Sequence, residues 1–174
     1  DLYKYCFNVA SAVGLVCLQI FGFKDERAKH YAEKCGIAFQ LTNILRDVKE
    51  DADSGRIYLP AEDLRQFGYS PGELLEGVVD ERFRRLMRFE AERAREYYSA
   101  ARNLLPMIEA SSRPALWAMI RIYERILERI VERQFDVFRS RVRLAGTEKI
   151  SIALKALLMR FVGRPDFSTQ PPVS

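Results

Sequence analysis

At 174 residues the chain is one domain's worth and can bury a sizeable core. Its 48% hydrophobic and 30% charged residues fit a soluble globular protein, and no run of about 18 apolar residues exists to cross a membrane. The single His30 rules out a histidine-rich metal site and most histidine-based triads within this segment.

The chain does not start with Met, and Asp1 leads straight into a helical pattern. It therefore reads as part of a longer protein whose N-terminal portion is absent here, and the net charge of +4 describes this segment only. No signal peptide is visible. Cys6, Cys17 and Cys35 are odd in number, sit in apolar helical patterns and lack CxxC spacing, which suits buried reduced thiols in a cytoplasmic protein.

Residues 2–22 read as a buried central helix, apolar on nearly every side and ended by Gly22. Ala10, Ser11, Ala12 and Gly14 would let a helix or ligand approach its backbone. Tyr5 shares a face with Val9, Ala12 and Val16, where a buried tyrosine ordinarily finds a hydrogen-bond partner. A second helix is predicted over about 26–52, closed by the turn Asp53-Ser54-Gly55. Pro60 sits at the first turn of a short helix through Gln66, and Ser70-Pro71-Gly72-Glu73 has capping-box spacing.

Helical spacing resumes over 80–105 until Pro106, and again from Ser112, a candidate cap, to about Phe138. In that last stretch Arg121, Arg125, Arg129 and Arg133 interleave with Glu124, Glu128 and Glu132, as on a solvated helix face, so nucleic-acid binding does not follow from the arginines. A final amphipathic helix over about 148–162 carries Ile150, Leu154, Leu157, Leu158 and Phe161 on one side. Core packing is its plainer use, and peripheral contact with the inner membrane face is the alternative. The tail from Gly163 reads as irregular. No segment alternates as a strand would, so the class is all-α.

The chemistry concentrates in Gln40–Pro60. Ile37, Leu41, Ile44, Leu45 and Val48 recur at helical spacing. At roughly 100° per residue, Gln40, Asn43, Asp47 and Asp51 fall within about 80° of one another, along the border of that apolar face. Carboxylates one turn apart are usually just solvated. Here, however, two amides extend the polar stripe inward, and Arg46 and Arg56 place positive charge beside it. Two carboxylates, Mg²⁺ and arginines suit a diphosphate, and an apolar cavity suits a hydrocarbon tail. The implied chemistry is metal-assisted loss of diphosphate from an allylic prenyl substrate, in a pocket that shields the cation from water. One aspartate pair is too few for a cluster of three Mg²⁺ ions, so a second acidic motif is expected outside the segment.

These residues resemble the squalene/phytoene synthase family. One signature is carried by Gly36-Ile37-Ala38-Phe39-Gln40, Asn43-Ile44-Leu45-Arg46-Asp47, Asp51 and Gly55-Arg56-Ile57-Tyr58-Leu59-Pro60. Another matches Tyr5-Cys6 and Val9-Ala10-Ser11-Ala12-Val13-Gly14, and the likeness continues through Ile122-Tyr123 and Ile126-Leu127. The resemblance implies an all-α isoprenoid synthase fold around a central cavity, residues 1–162 forming the C-terminal portion of one domain. It also implies head-to-head condensation of two prenyl diphosphates through a cyclopropyl intermediate.

By the same resemblance Asp47 and Asp51 would hold Mg²⁺, and Gln40, Asn43, Arg46 and Arg56 would serve the diphosphates. Tyr58, Tyr123 and Arg141 match residues of the diphosphate region, and Tyr5 would face the carbocation or assist proton removal. The family's first aspartate-rich motif would lie before Asp1, which leaves the segment by itself inactive. The Val9–Gly14 variant followed by Ile20-Phe21-Gly22 is more similar to presqualene diphosphate synthases of hopanoid pathways, which use farnesyl diphosphate. Phytoene formation from geranylgeranyl diphosphate is the first alternative. NADPH would be required only if the reaction continued to squalene. A non-catalytic relative acting in assembly is a further alternative, against which the intact polar set argues.

Overall fold

The computed structural model describes residues 2–162, all of whose regular structure is helical; among them the only extended pairing is an isolated antiparallel bridge between Phe23 and Ile108. The apolar N-terminal stretch folds as α1 (Leu2–Cys6), a π-helical turn (Phe7–Ser11) and α2 (Ala12–Phe21). A π turn fits an extra residue into one turn and rotates the face that follows. The expected face of Tyr5, Val9 and Val16 is thereby broken. Val9, Val13, Val16 and Ile20 are exposed while Cys6 and Leu18 are buried, so this stretch is not the buried central helix.

That position belongs to α3 (Arg27–Arg46), which packs against α1, the π turn, α2 and the later helices α7 (Glu81–Ala101) and α8 (Arg113–Glu132). Ala28, Ala32, Gly36 and Ala38 leave room for close neighbours, while Ile37, Leu41, Ile44 and Leu45 fill the core. Each of these large side chains contributes about 1.5–3 kcal/mol by leaving water. One close approach is at Gly14 of α2, where a Cβ would stand 3.1 Å from the carbonyl oxygen of Ala32. Gly22 then ends α2 with φ +71°, as its place in the sequence predicts. Buried Thr42 donates to the Ala38 carbonyl at 2.9 Å and pairs with the Tyr98 hydroxyl at 2.7 Å.

The predicted helix over 26–52 is interrupted at Asp47 (φ −103°, ψ 15°), and α4 (Val48–Asp53) follows. Hydrogen bonds from Asp47 N to Asn43 O and from Asp51 N to Asp47 O, both 2.9 Å, keep the two pieces nearly continuous. Gly55, at φ +72°, closes α4 and turns the chain into Arg56–Leu59. Pro60 stands one residue before α5 (Ala61–Gln66) rather than inside it. The capping box forms as read: Glu73 N donates to Ser70 Oγ and Ser70 N to the Glu73 carboxylate, opening α6 (Pro71–Leu75).

Helix α7 (Glu81–Ala101) is capped by Asp80, which accepts from Phe83 N, and it runs into a 3-10 segment (Arg102–Met107) that contains Pro106. Ser112 precedes α8 (Arg113–Glu132) but makes no side-chain cap. Helix α8 stops six residues short of Phe138, because Gln134 and Phe135 turn left-handed (φ 53° and 63°). Such strain costs on the order of 1–3 kcal/mol and is offset by the near-complete burial of the Phe135 ring. The loop that follows carries Arg141 back toward Asp47.

Helix α9 (Gly146–Val162) packs against α8, buries Ile152 and Ala156, and is tied to α8 by ion pairs as well. Ile150, Leu154, Leu157 and Leu158, on the side expected to pack into the core, are exposed among the described residues instead. Glu148 accepts from Arg125 Nε at 2.9 Å and Arg129 Nη2 at 3.0 Å. The interleaved charges are thus more than a solvated face: they anchor the last helix. The tail read as irregular lies outside the described residues.

One charged cluster lies in the interior. Arg93 of α7 donates at 2.9 Å to Asp63 of α5 and to both oxygens of Glu90, and the two carboxylates are almost fully buried. One guanidinium cannot neutralise both. Burial, followed by the adjoining Asp63 carboxyl, pushes Glu90 up to about 8, so it keeps its proton at neutral pH. A raised folded-state value gives stability that is complete below the ordinary glutamate range and lost as pH rises through about 8. Unfolding free energy should therefore fall by about 1.4 kcal/mol per pH unit between roughly pH 5 and 8. Denaturant titrations across that range should show this slope in the parent and a much flatter one in Glu90→Gln; equal slopes would remove the assignment.

Candidate active site

Helices α2, α3 and α8 and the 3-10 segment enclose a cavity of about 270 Å³. Its walls are mostly apolar, with Val13, Cys17 and Phe21 from α2, Cys35 and Phe39 from α3, and Leu104, Leu116 and Met119 opposite. Gln40, Asn43 and Tyr123 supply the polar part of the lining. Phe39 stacks on Tyr123 with ring centroids 4.3 Å apart, a wall element that the sequence reading passed over although it adjoins Gln40. Cys17 and Cys35, read only as buried thiols, are small lining residues of the same cavity.

Asn43 carries the site's most informative atom. Its Oδ1 is buried and has no hydrogen-bond partner among the described residues. An orphaned buried acceptor costs about 1–3 kcal/mol. Such an oxygen next to the acidic end of α3 is suited to a cation or a donor brought by a ligand.

One turn on, the Asp47 carboxylate is gripped from two sides. Arg46 donates to it at 2.7 and 2.6 Å, and Arg141, 94 positions away, donates at 2.9 and 3.0 Å. Burial by itself would raise this carboxyl, but the two guanidinium groups outweigh it and hold Asp47 below the usual carboxylate range. Asp51 goes the other way. Burial raises it first, and the charges of Asp47 and Glu50 raise it further, against a smaller opposing effect of Arg56. Negative charge at Asp51 is thus undercompensated.

Asp51, Arg56 and Tyr58 line a small hollow together with Ile44 and Val48. Tyr5 stacks on Tyr58 at 4.6 Å, so it meets the acidic end of the site rather than the apolar surroundings that its helical face predicted. Burial, hydrogen bonding with Tyr58 and the nearby Asp51 carboxylate push the Tyr5 hydroxyl up to about 12. It is a neutral phenol at physiological pH.

The structure therefore brings the ten named residues together in three linked groups: Gln40, Asn43 and Tyr123 on the cavity; Arg46, Asp47 and Arg141; and Asp51, Arg56, Tyr58 and Tyr5. Among the described residues no three or more His, Cys, Asp or Glu side chains converge on a metal position. The donors present nevertheless fit part of a shell for a hard divalent cation. Two carboxylates and one unpartnered amide oxygen are all hard ligands, and Mg²⁺ commonly completes its shell with water and substrate phosphate.

The sequence model of the squalene/phytoene synthase family matches residues 1–148. The 15-cis-phytoene synthase of Synechococcus elongatus is 39% identical over 170 residues, covering 91% of this chain and 55% of that protein. The phytoene synthase of Mycobacterium bovis is 39% identical over 160 residues, covering 90% of this chain and 53% of its own length. The chain thus spans about half the length of the curated relatives it matches. Among solved structures, a dehydrosqualene synthase superposes with a TM-score of 0.83 at 32% identity, covering 91% of this chain and 56% of the other. A family match over most of the sequence, relatives 39% identical and a superposition on a solved relative lead to one assignment: this chain belongs to the squalene/phytoene synthase family.

Proposed function

We propose that the chain supplies one side of the active site of a Mg²⁺-dependent head-to-head prenyltransferase, and that the substrate is geranylgeranyl diphosphate and the product phytoene. The observation that carries the reaction class is the junction at Asn43, where an apolar cavity meets an orphaned oxygen, a carboxylate pair and three arginines. The names of the relatives favour phytoene over presqualene diphosphate, the first expectation from the Val9–Gly14 variant. In the phytoene reading no NADPH is consumed.

Asp47 and Asp51 would hold Mg²⁺, whose charge would favour departure of the diphosphate. Arg46, Arg141 and Arg56 stand ready to take over phosphate charge. In the ligand-free chain the first two satisfy Asp47. The apolar walls keep water from the carbocation. Tyr5, neutral and backed by Tyr58, can turn its hydroxyl dipole toward positive charge or accept a proton from carbon only as it passes its own proton on. An assembly protein would have no use for an unpaired Asn43 oxygen or for an undercompensated Asp51.

Incubating the intact protein with Mg²⁺ and C15 or C20 prenyl diphosphate, with and without NADPH, decides the substrate. Phytoene from the C20 substrate without NADPH is the expected result; presqualene diphosphate or squalene from C15 would overturn the phytoene reading. Asp47→Asn and Asp51→Asn should each lower turnover roughly 100-fold or more. They should also abolish the rise in Tm that Mg²⁺ and inorganic diphosphate together produce, and an undiminished rise in both variants would refute the metal assignment. Tyr5→Phe keeps the ring stacked on Tyr58. It should preserve that Tm rise while slowing or redirecting product formation, and an unchanged rate and product would remove the hydroxyl from the mechanism.

A further inference from the structure

Four residues of α3 follow one another around the helix. At roughly 100° per residue, Thr42, Phe39, Asn43 and Gln40 sweep through about 160° in that order. Thr42 is fully buried, whereas Asn43 and Gln40 line the cavity. Phe39 stands at the boundary and meets an aromatic ring on either side.

Toward the core, the Phe39 ring lies 6.2 Å from that of Tyr98 in α7, tilted by 47°. Tyr98 is a firm backing. It is 2% exposed, and its hydroxyl pairs with Thr42 Oγ1 at 2.7 Å. The single Thr42 hydroxyl hydrogen goes to the Ala38 carbonyl, so the Tyr98 hydroxyl is the donor of that pair. Toward the cavity, Phe39 stacks on Tyr123 of α8 at 4.3 Å, with the ring planes 17° apart. Contacts thus run in a line from the buried Thr42 through Tyr98 and Phe39 to Tyr123. A tyrosine on a cavity wall can otherwise swing between staggered side-chain rotamers. A flat ring against one of its faces, itself backed from behind, favours the one rotamer that keeps the stack.

We propose that Phe39 is a positioning residue: backed by Tyr98, it holds the Tyr123 ring beside Gln40 and Asn43 at the polar end of the cavity. The proposal deepens the prenyltransferase reading and rests on it, because the polar end is where that reading places the diphosphate. Phe39 needs no contact with the reacting atoms. An aliphatic side chain would fill much of the same space but would offer Tyr123 no flat face. Without the stack, Tyr123 should hold its place roughly two to ten times less often.

The test uses the intact protein with Mg²⁺ and whichever of the C15 and C20 diphosphates the parent converts, assayed well below the lowest Tm of the set. Phe39→Leu should lower kcat roughly threefold to tenfold with KM little changed, and Phe39→Tyr, which restores a ring, should recover most of the loss. In a Tyr123→Leu background, Phe39→Leu should cost nothing further, because the ring it positions is gone. With 3-fluorotyrosine in place of Tyr123, the fluorine resonance of the substrate-free protein should shift and broaden in Phe39→Leu and return in Phe39→Tyr. A parent-like kcat in Phe39→Leu, additive losses in the double variant or an unmoved resonance would each overturn the positioning role alone. A parent that converts neither diphosphate would overturn the prenyltransferase reading, and this role with it.

Discussion

A helix enclosed by neighbours on most sides must either satisfy its polar groups internally or hand them to a ligand, and α3 does both. Thr42 is paired with Ala38 and Tyr98 and disappears into the core. Asn43, the next residue, leaves its side-chain amide oxygen Oδ1 unpaired. Small residues let α2, α7 and α8 crowd around α3, and this crowding makes the buried, unpaired oxygen expensive. The same packing therefore accounts for both the apolar walls and the polar mouth.

Charge balance at the end of α3 follows the same logic. Asp47 receives two guanidinium groups and Asp51 receives less positive charge than its neighbours demand. A cation bound here would relieve Asp51 while releasing arginines toward an incoming anion. The break in the helix falls at Asp47 itself, where the carboxylate is gripped from two directions. Anchoring elsewhere is likewise electrostatic: the arginines of α8 secure α9 through Glu148, and Arg93 ties α5 to α7.

What could be read in the sequence were the features that local chemistry decides. Helical periodicity gave α7 and α8, Ser70 and Glu73 gave the capping box, and Gly22 and Gly55 gave two helix ends. Eight of the ten site residues lie in two contiguous motifs whose order alone pointed to the family. Arg141 was reached by resemblance, but its pairing with Asp47 needed the whole fold, in which the loop after the left-handed turn at Gln134 and Phe135 comes back to α3. The π turn after Tyr5 re-aimed a face that an ideal wheel had assigned to apolar surroundings. The direction of α9 was out of reach for another reason: a periodic apolar stripe says that a helix has two faces, not which one meets the protein.

The contact between Gly14 and Ala32 has a consequence for how the volume of the cavity can vary. On that side the wall is main chain against main chain, 3.1 Å from where a side chain would begin. Nothing at Gly14 itself can be trimmed, and any enlargement there would push two helices apart. The adjustable lining is the side chains around that contact: Val13, Cys17 and Phe21 of α2, Phe39 stacked on Tyr123, and Leu104, Leu116 and Met119 opposite. A change in the volume of the cavity would come from these side chains and not from the spacing of the two helices.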